Sequence, residues 1–168
     1  MIFAAVGSSQ TPFDRLVRAV DDLASRIDEE VIIQKGATPY QPQHAQFFDY
    51  CEPKRMQSLI HEASVLIAHA GFGIVGDGIR YQKRMILIPR EHRFGDAEGN
   101  QVELAEHLAA QAIGIFCLKE VSQLYSTWMN IKKVNPCYQF KNSIQQLVLE
   151  FIDQKFSPRQ ISPRSIFP

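Results

Sequence analysis

Val65-Leu66-Ile67-Ala68-His69-Ala70-Gly71-Phe72-Gly73 is the stretch on which the reading of this chain turns. Four apolar residues make a short strand, and the glycine-containing turn after them stops it. Helical spacing follows at once, from about Gly73 to Tyr81. Strand, glycine turn and helix in immediate succession are the repeating element of an α/β fold with a parallel sheet.

The same alternation extends in both directions. Upstream, residues 2–6 read as a central strand that ends in the polar loop Gly7-Ser8-Ser9-Gln10. Thr11 and Pro12 offer a helix cap followed by proline at the first helical position. Phe13, Leu16, Val17, Val20, Leu23, Ala24 and Ile27 then form one apolar stripe at helical spacing. Residues 30–34 and 47–50 give a second and a third strand, and Pro53 opens a helix with Met56, Leu59 and Ile60 inward. Downstream, residues 85–88 form a fifth strand, 90–99 a charged loop, 100–112 a helix, and 113–118 a sixth strand. Val121, Leu124, Tyr125 and Trp128 mark another helix. Beyond it, Ile144, Leu147, Val148, Phe151 and Ile152 lie on one face of an amphipathic helix. The tail Ser157-Pro158-Arg159-Gln160-Ile161-Ser162-Pro163-Arg164-Ser165-Ile166 nearly repeats itself and, with its two prolines, reads as extended.

Composition narrows the function classes. The chain has 168 residues, the length of one domain able to bury a sizeable core without staples. Its 18 Lys+Arg balance 18 Asp+Glu, so nucleic acid is disfavoured as a partner. Cys51, Cys117 and Cys137 are odd in number and widely spaced, which argues against zinc and against a disulfide framework. The five histidines show no H-x-x-x-H spacing, so no metal site is expected. The first six residues are too short for a signal segment and no apolar run approaches a membrane span. A cytoplasmic location is expected.

In an open parallel sheet, ligands bind beyond the carboxyl ends of the strands. Two loops meet that description: Gly7-Ser8-Ser9 after the first strand, and His69-Ala70-Gly71-Phe72-Gly73 after the fourth. Glycine lets the backbone approach a ligand, and the helix N-terminus that follows favours an anion such as a diphosphate. A dinucleotide-dependent enzyme is disfavoured, because Gly7-Ser8-Ser9-Gln10 lacks the G-x-G-x-x-G fingerprint.

Further segments stand in a telling order: Val6-Gly7-Ser8 with Pro12-Phe13-Asp14-Arg15-Leu16-Val17, Ile33-Gln34-Lys35-Gly36, Ala68-His69-Ala70-Gly71-Phe72-Gly73, Ile88-Pro89-Arg90, and Asn100-Gln101-Val102-Glu103-Leu104-Ala105. Together they resemble the C-terminal domain of family 28 glycosyltransferases over roughly residues 1–130, most of all the small, separately encoded subunits of split enzymes. The resemblance implies a Rossmann-like parallel sheet with helices on both faces, one half of a GT-B fold. Residues 1–133 would hold a nucleotide-sugar, and residues 134–168 would form the terminal helix and tail. It implies a UDP-sugar donor, a lipid-linked saccharide acceptor, and a membrane-anchored partner subunit carrying the acceptor half. Inversion without a metal or other cofactor belongs to the same picture. An isolated half with an exposed cleft face can also form a homodimer.

The resemblance also assigns roles. Gly71 and Gly73 match glycines at the diphosphate, with Phe72 between them, and Gly7 and Ser8 match a first loop that faces the cleft. His69 matches a histidine that orients the turn or reaches the donor; a plain strand-end histidine is the competing reading. Asp77 stands where the family usually has a ribose-binding glutamate, and it also suits a helix start. Gln101 matches an amide that meets sugar hydroxyls. Asn100 departs from the usual His or Asp and serves equally as a helix cap. Arg90 would meet the donor or the partner, or simply be solvated. The Asp77 and Asn100 departures keep open a second class, a non-catalytic nucleotide-binding or scaffolding module that regulates a partner.

Overall fold

The computed structural model describes residues 1–96 and 101–138. The expected terminal helix and extended tail, and Asn100, lie outside the described residues. Six strands form one sheet: β1 (Ile2–Ala5), β2 (Val31–Gln34), β3 (Gln46–Phe48), β4 (Val65–Ala68), β5 (Arg84–Leu87) and β6 (Ile115–Cys117). Every pairing between them is parallel, and the spatial order is β3-β2-β1-β4-β5-β6. Between them run α1 (Asp14–Ala24), α2 (Pro53–Glu62), α3 (Phe72–Arg80) and α4 (Val102–Gln111), and α5 (Leu124–Ile131) follows β6.

Parallel strands covered on both faces must be apolar on both faces. β1 and β4 meet that demand: all four residues of each are buried. Ile2, Ala4, Ile33, Ile67 and Ile86 point to one side, where Leu16, Val17, Val20 and Leu23 of α1 pack with Leu124, Trp128 and Ile131 of α5. The opposite face takes Phe3, which stacks on Phe48 at a ring separation of 6.5 Å, and Leu66 and Met85 beneath α3. Gly78 permits that close approach, because a Cβ there would sit 2.3 Å from the Met85 sulfur.

Helix starts differ from expectation in one instructive place. Thr11 and Pro12 do not open α1, which begins at Asp14 with Phe13 as its cap residue. The Phe13 N–H donates to the Thr38 hydroxyl at 2.9 Å, and the Thr11 and Pro12 carbonyls accept from the Arg90 guanidinium. Tertiary hydrogen bonds hold the segment out of the helix. Pro53, by contrast, does occupy the first turn of α2, as its fixed φ favours.

The compact unit that contains the sheet runs from Met1 to Tyr138. After α5 the chain returns to the β6 edge, where Cys137 pairs antiparallel with Ile113 and the Tyr138 hydroxyl donates to the Gly114 carbonyl at 3.1 Å. Among the described residues no helix is long and apolar enough to cross a membrane.

Candidate functional site

From β1 the chain steps to β2 and β3 on one side, and from β4 to β5 and β6 on the other. The loops after β1 and β4 therefore leave in opposite directions, and a crevice opens between them at the carboxyl edge. A cavity of about 300 Å³ occupies that point. The β1 loop contributes Gly7 and Ser8, the end of β2 contributes Gln34, and the stretch from β3 into α2 contributes Tyr50, Cys51 and Met56. The β4 turn and α3 complete it with His69, Gly71, Gly73, Ile74 and Asp77.

His69 organises the two loops. Its imidazole lies between Gly71 and Gly7: a Cβ on Gly71 would stand 2.3 Å from its Nε2, and one on Gly7 would stand 2.6 Å from its Cε1. Gly7 additionally holds φ at +84°, a conformation side chains resist. Burial pushes the His69 pKa down to about 4, and the Arg90 charge pushes the same way. The Ala5 backbone opposes both, although Nδ1 has no partner at hydrogen-bond geometry. His69 is thus a neutral imidazole at physiological pH.

The β4 turn delivers α3 with its N-terminus bare. Gly71 is the cap residue and supplies no side-chain bond, and the first intrahelical bond runs from the Val75 N–H to the Gly71 carbonyl at 3.1 Å. The N–H groups of Phe72, Gly73 and Ile74 therefore have no acceptor within the helix. A Cβ on Gly73 would meet nothing within 4 Å, so this turn is open to an approaching group. Asp77 lies one turn further along the same face, partly exposed, with Arg80 at 4.0 Å. Phe72 is 51% exposed and does not line the cavity.

Two of the expected ligand groups, Arg90 and Gln101, do not line this cavity. Arg90 is 3% exposed. Its Nη1 donates to the carbonyls of Thr11, Pro12 and Asp96 at 3.1, 3.3 and 2.7 Å, and its Nη2 to the Val6 carbonyl at 3.1 Å. The guanidinium also covers the Phe13 ring at 4.4 Å. It closes the β1 loop from behind and is neither solvated nor a wall of the cavity. Gln101 grips the same residue: its N–H donates to the Arg90 carbonyl at 3.1 Å and its Oε1 accepts from the Arg90 N–H at 3.2 Å. Its amide ties down the approach to α4, where Gln101 is the cap residue.

Some wall residues went unassigned in the sequence. Gln34 accepts from the Gly7 N–H at 3.0 Å and donates to the Gly7 and Asp49 carbonyls at 3.0 and 2.9 Å, which staples the β1 loop to the end of β3. A polar residue closing an otherwise apolar strand was the available signal. Tyr50, Cys51 and Met56 carried none. Burial raises the Cys51 thiol pKa, with Arg55 opposing, so it stands as a thiol rather than a thiolate.

A six-stranded, all-parallel sheet with a glycine-turn crevice at its switch point defines a doubly wound, Rossmann-like α/β domain. Residues 1–155 match the glycosyltransferase family 28 C-terminal domain, and the chain belongs to that family. Solved structures agree on the fold. The glycosyltransferase of kitacinnamycin superposes with a TM-score of 0.60 at 16% identity, covering 78% of this chain and 34% of its own. The calicheamicin glycosyltransferase gives 0.58 at 12% identity over 94% and 44%. MurG of Acinetobacter baumannii gives 0.51 at 14% over 79% and 42%. The chain thus spans about a third to under a half of these proteins and corresponds to the C-terminal half of the GT-B fold. No curated protein sequence matches it.

Proposed function

We propose that this chain is the donor-binding half of a two-component glycosyltransferase that moves a sugar from a UDP-sugar to a lipid-linked saccharide in polysaccharide biosynthesis. The observation that carries the reading is the crevice between β1 and β4, where the bare N-terminus of α3 and the open Gly73 face the same space as Asp77. The N–H groups of Phe72, Gly73 and Ile74, with the helix dipole behind them, suit the diphosphate of the donor. Asp77, one turn on, suits the ribose hydroxyls.

In the reaction, an acceptor hydroxyl attacks the anomeric carbon from the face opposite the diphosphate. The carbon–oxygen bond to the diphosphate breaks, UDP departs with the electron pair, and the hydroxyl proton passes to a base. The developing charge on the leaving group falls where the α3 N–H groups point, so the transition state is stabilised more than the ground state. His69 is neutral at physiological pH and held between two glycines. Its role in this reading is to position the Gly7 and Gly71 loops around the diphosphate. A partner with the acceptor half, anchored at the inner face of the membrane, supplies the remainder.

Calorimetric titration with UDP, GDP and several UDP-sugars tests the assignment. UDP raises the melting temperature and Asp77→Asn weakens UDP binding ten- to hundredfold, the worth of about 1–3 kcal/mol for a hydrogen bond to a charged group. If saturating UDP leaves stability unchanged, both alone and with a co-purifying membrane-anchored half, the donor-site assignment is wrong.

A further inference from the structure

The β1–β2 ladder ends where the Val6 N–H donates to the Gln34 main-chain carbonyl at 3.1 Å. Beyond that bond β1 turns away as a loop, and Gly7, with φ of +84°, is in that turn. The Gln34 side chain carries the ladder one step further. Its Oε1 accepts from the Gly7 N–H at 3.0 Å, and its Nε2 donates to the Gly7 carbonyl at 3.0 Å and to the Asp49 carbonyl at 2.9 Å. One amide thus holds both main-chain groups of a single glycine and reaches the residue that precedes Tyr50 and Cys51.

Two features set this arrangement apart from ordinary packing. Gln34 is 1% exposed and both hydrogens on its Nε2 are used, so the side chain has no donor left for a ligand. The bonds also join two walls of the crevice that are distant in the chain, the β1 loop with Gly7 and Ser8 and the β3–α2 stretch with Tyr50, Cys51 and Met56. On its other side Gly7 meets the imidazole of His69, 2.6 Å from where a Cβ would stand, so it is gripped through its backbone and at its α-carbon together. Gly36 leaves room for the grip: a Cβ there would stand 2.9 Å from Cγ2 of Val6 and 3.3 Å from the Gly7 carbonyl oxygen. A loop ordered in advance spares the entropy that would otherwise be lost when the ligand arrives.

Resting on the donor-binding reading above, we propose that Gln34 is a positioning residue of the donor site. Its amide sets the β1 loop and the β3–α2 wall at their working separation before the nucleotide binds. It acts through Gly7 and through the segment after Asp49, and touches no ligand itself.

The test is calorimetric titration with UDP of wild type, Gln34→Met and Gln34→Glu at pH 8 and pH 5. The full chain is used, or its complex with the co-purifying half where the chain alone does not bind. Methionine keeps the length and loses all three bonds. An ionised glutamate keeps only the acceptor and turns negative charge on two carbonyls; once protonated it again offers an acceptor and a donor. Tyr50, Cys51, His69 and Asp77 on the same walls, and the Lys35–Asp49 pair beside them, are shared with the wild type at each pH, so the ratio of affinities reports position 34. Expected at pH 8 is UDP binding at least about tenfold weaker in both variants, on protein shown to be folded by NMR, since misplacement by about an ångström costs up to about a hundredfold. At pH 5 the glutamate variant recovers at least about threefold relative to wild type, because burial beside carbonyls favours its neutral form, and the methionine variant does not. In the wild type without nucleotide, the Gly7 N–H already exchanges with solvent at least about a hundredfold more slowly than a free amide. A folded Gln34→Met that binds UDP within tenfold of wild type overturns the proposal, as does a glutamate deficit equal at both pH values. Fast exchange at Gly7 before UDP is added overturns it too, whether or not the variants fold. A wild type that binds no UDP in either form refutes the donor-site reading itself, and this inference with it.

Discussion

Gly71→Ala is the sharpest perturbation the structure offers. Gly71 has φ −86° and ψ 139°, backbone values that alanine adopts freely, so the residue is not a glycine for conformational reasons. Its constraint is steric: the added methyl would stand 2.3 Å from Nε2 of His69 and 3.0 Å from Cδ2 and Cε1. Either the imidazole or the turn has to move by about an ångström, and overpacking of that kind costs about 1–3 kcal/mol. Two smaller effects, the weaker capping by alanine and the lower entropy of the unfolded chain, oppose each other at about 0.5 kcal/mol apiece. Removing the ring should therefore remove the penalty, so in a His69→Ala background Gly71→Ala becomes nearly neutral. Gly7→Ala behaves differently. Its clash with the ring, 2.6 Å at Cε1, is also relieved, but φ of +84° leaves about 1–2 kcal/mol of strain. Urea unfolding of the two double-mutant cycles measures the coupling. Each kcal/mol corresponds to about 2–4 °C in melting temperature for a chain of this size. Equal destabilisation by Gly71→Ala with and without the imidazole would refute the wedge.

Further outcomes follow from single groups. Burial raises the Asp21 pKa, but N–H donors from Gln43, His44 and Ala45 and the Tyr40 hydroxyl outweigh it and hold the carboxyl below its ordinary 3.8. Its stabilisation is present above that value and is lost as pH falls through the folded one. Asp21→Ala, which leaves those donors without an acceptor, should cost about 2–4 kcal/mol in denaturant unfolding, and less at pH 3 than at pH 7. His69, depressed to about 4 from 6.5, contributes in full above pH 6.5 and loses its contribution between 6.5 and 4 as the unfolded chain gains the proton first. Its ring resonances in NMR should stay constant from pH 8 to 5; a midpoint above 6 would show that the imidazole is not enclosed. Arg90→Met leaves the Val6, Thr11, Pro12 and Asp96 carbonyls unpaired and should destabilise by about 3–5 kcal/mol in chemical denaturation. Unchanged stability would return Arg90 to a ligand role.

The α/β class and the position of each strand were legible in the chain because every strand is a short apolar run bounded by glycine, proline or charge. The turn at residues 69–73 announced itself for the same reason: glycine beside a strand end is a local signal with a local cause. What local signals do not carry is partnership. The order β3-β2-β1-β4-β5-β6 depends on which runs pair across the sheet, and that order alone brings Gly7 to one side of His69 with Gly71 on the other. Thr11 and Pro12 spell a helix start, yet their carbonyls face Arg90, some eighty positions away, and the tertiary bonds prevail over the local preference. Gln101 and Arg90 have the reach and chemistry of ligand groups, and sequence sees only that reach. Buried loop carbonyls draw the Arg90 guanidinium inward, and the Arg90 N–H takes the Gln101 Oε1 as its acceptor, because leaving such groups without hydrogen bonds costs more than the exposure gains. Tyr50, Cys51 and Met56 became walls only because β3 docks at the edge of β2 and carries the start of α2 to the mouth of the crevice. The chain's own residues thus specify strands, turns and a bare helix end one by one. Which polar groups face a ligand and which are consumed in holding the loops is decided by long-range pairing, where the accounting of buried hydrogen bonds is settled.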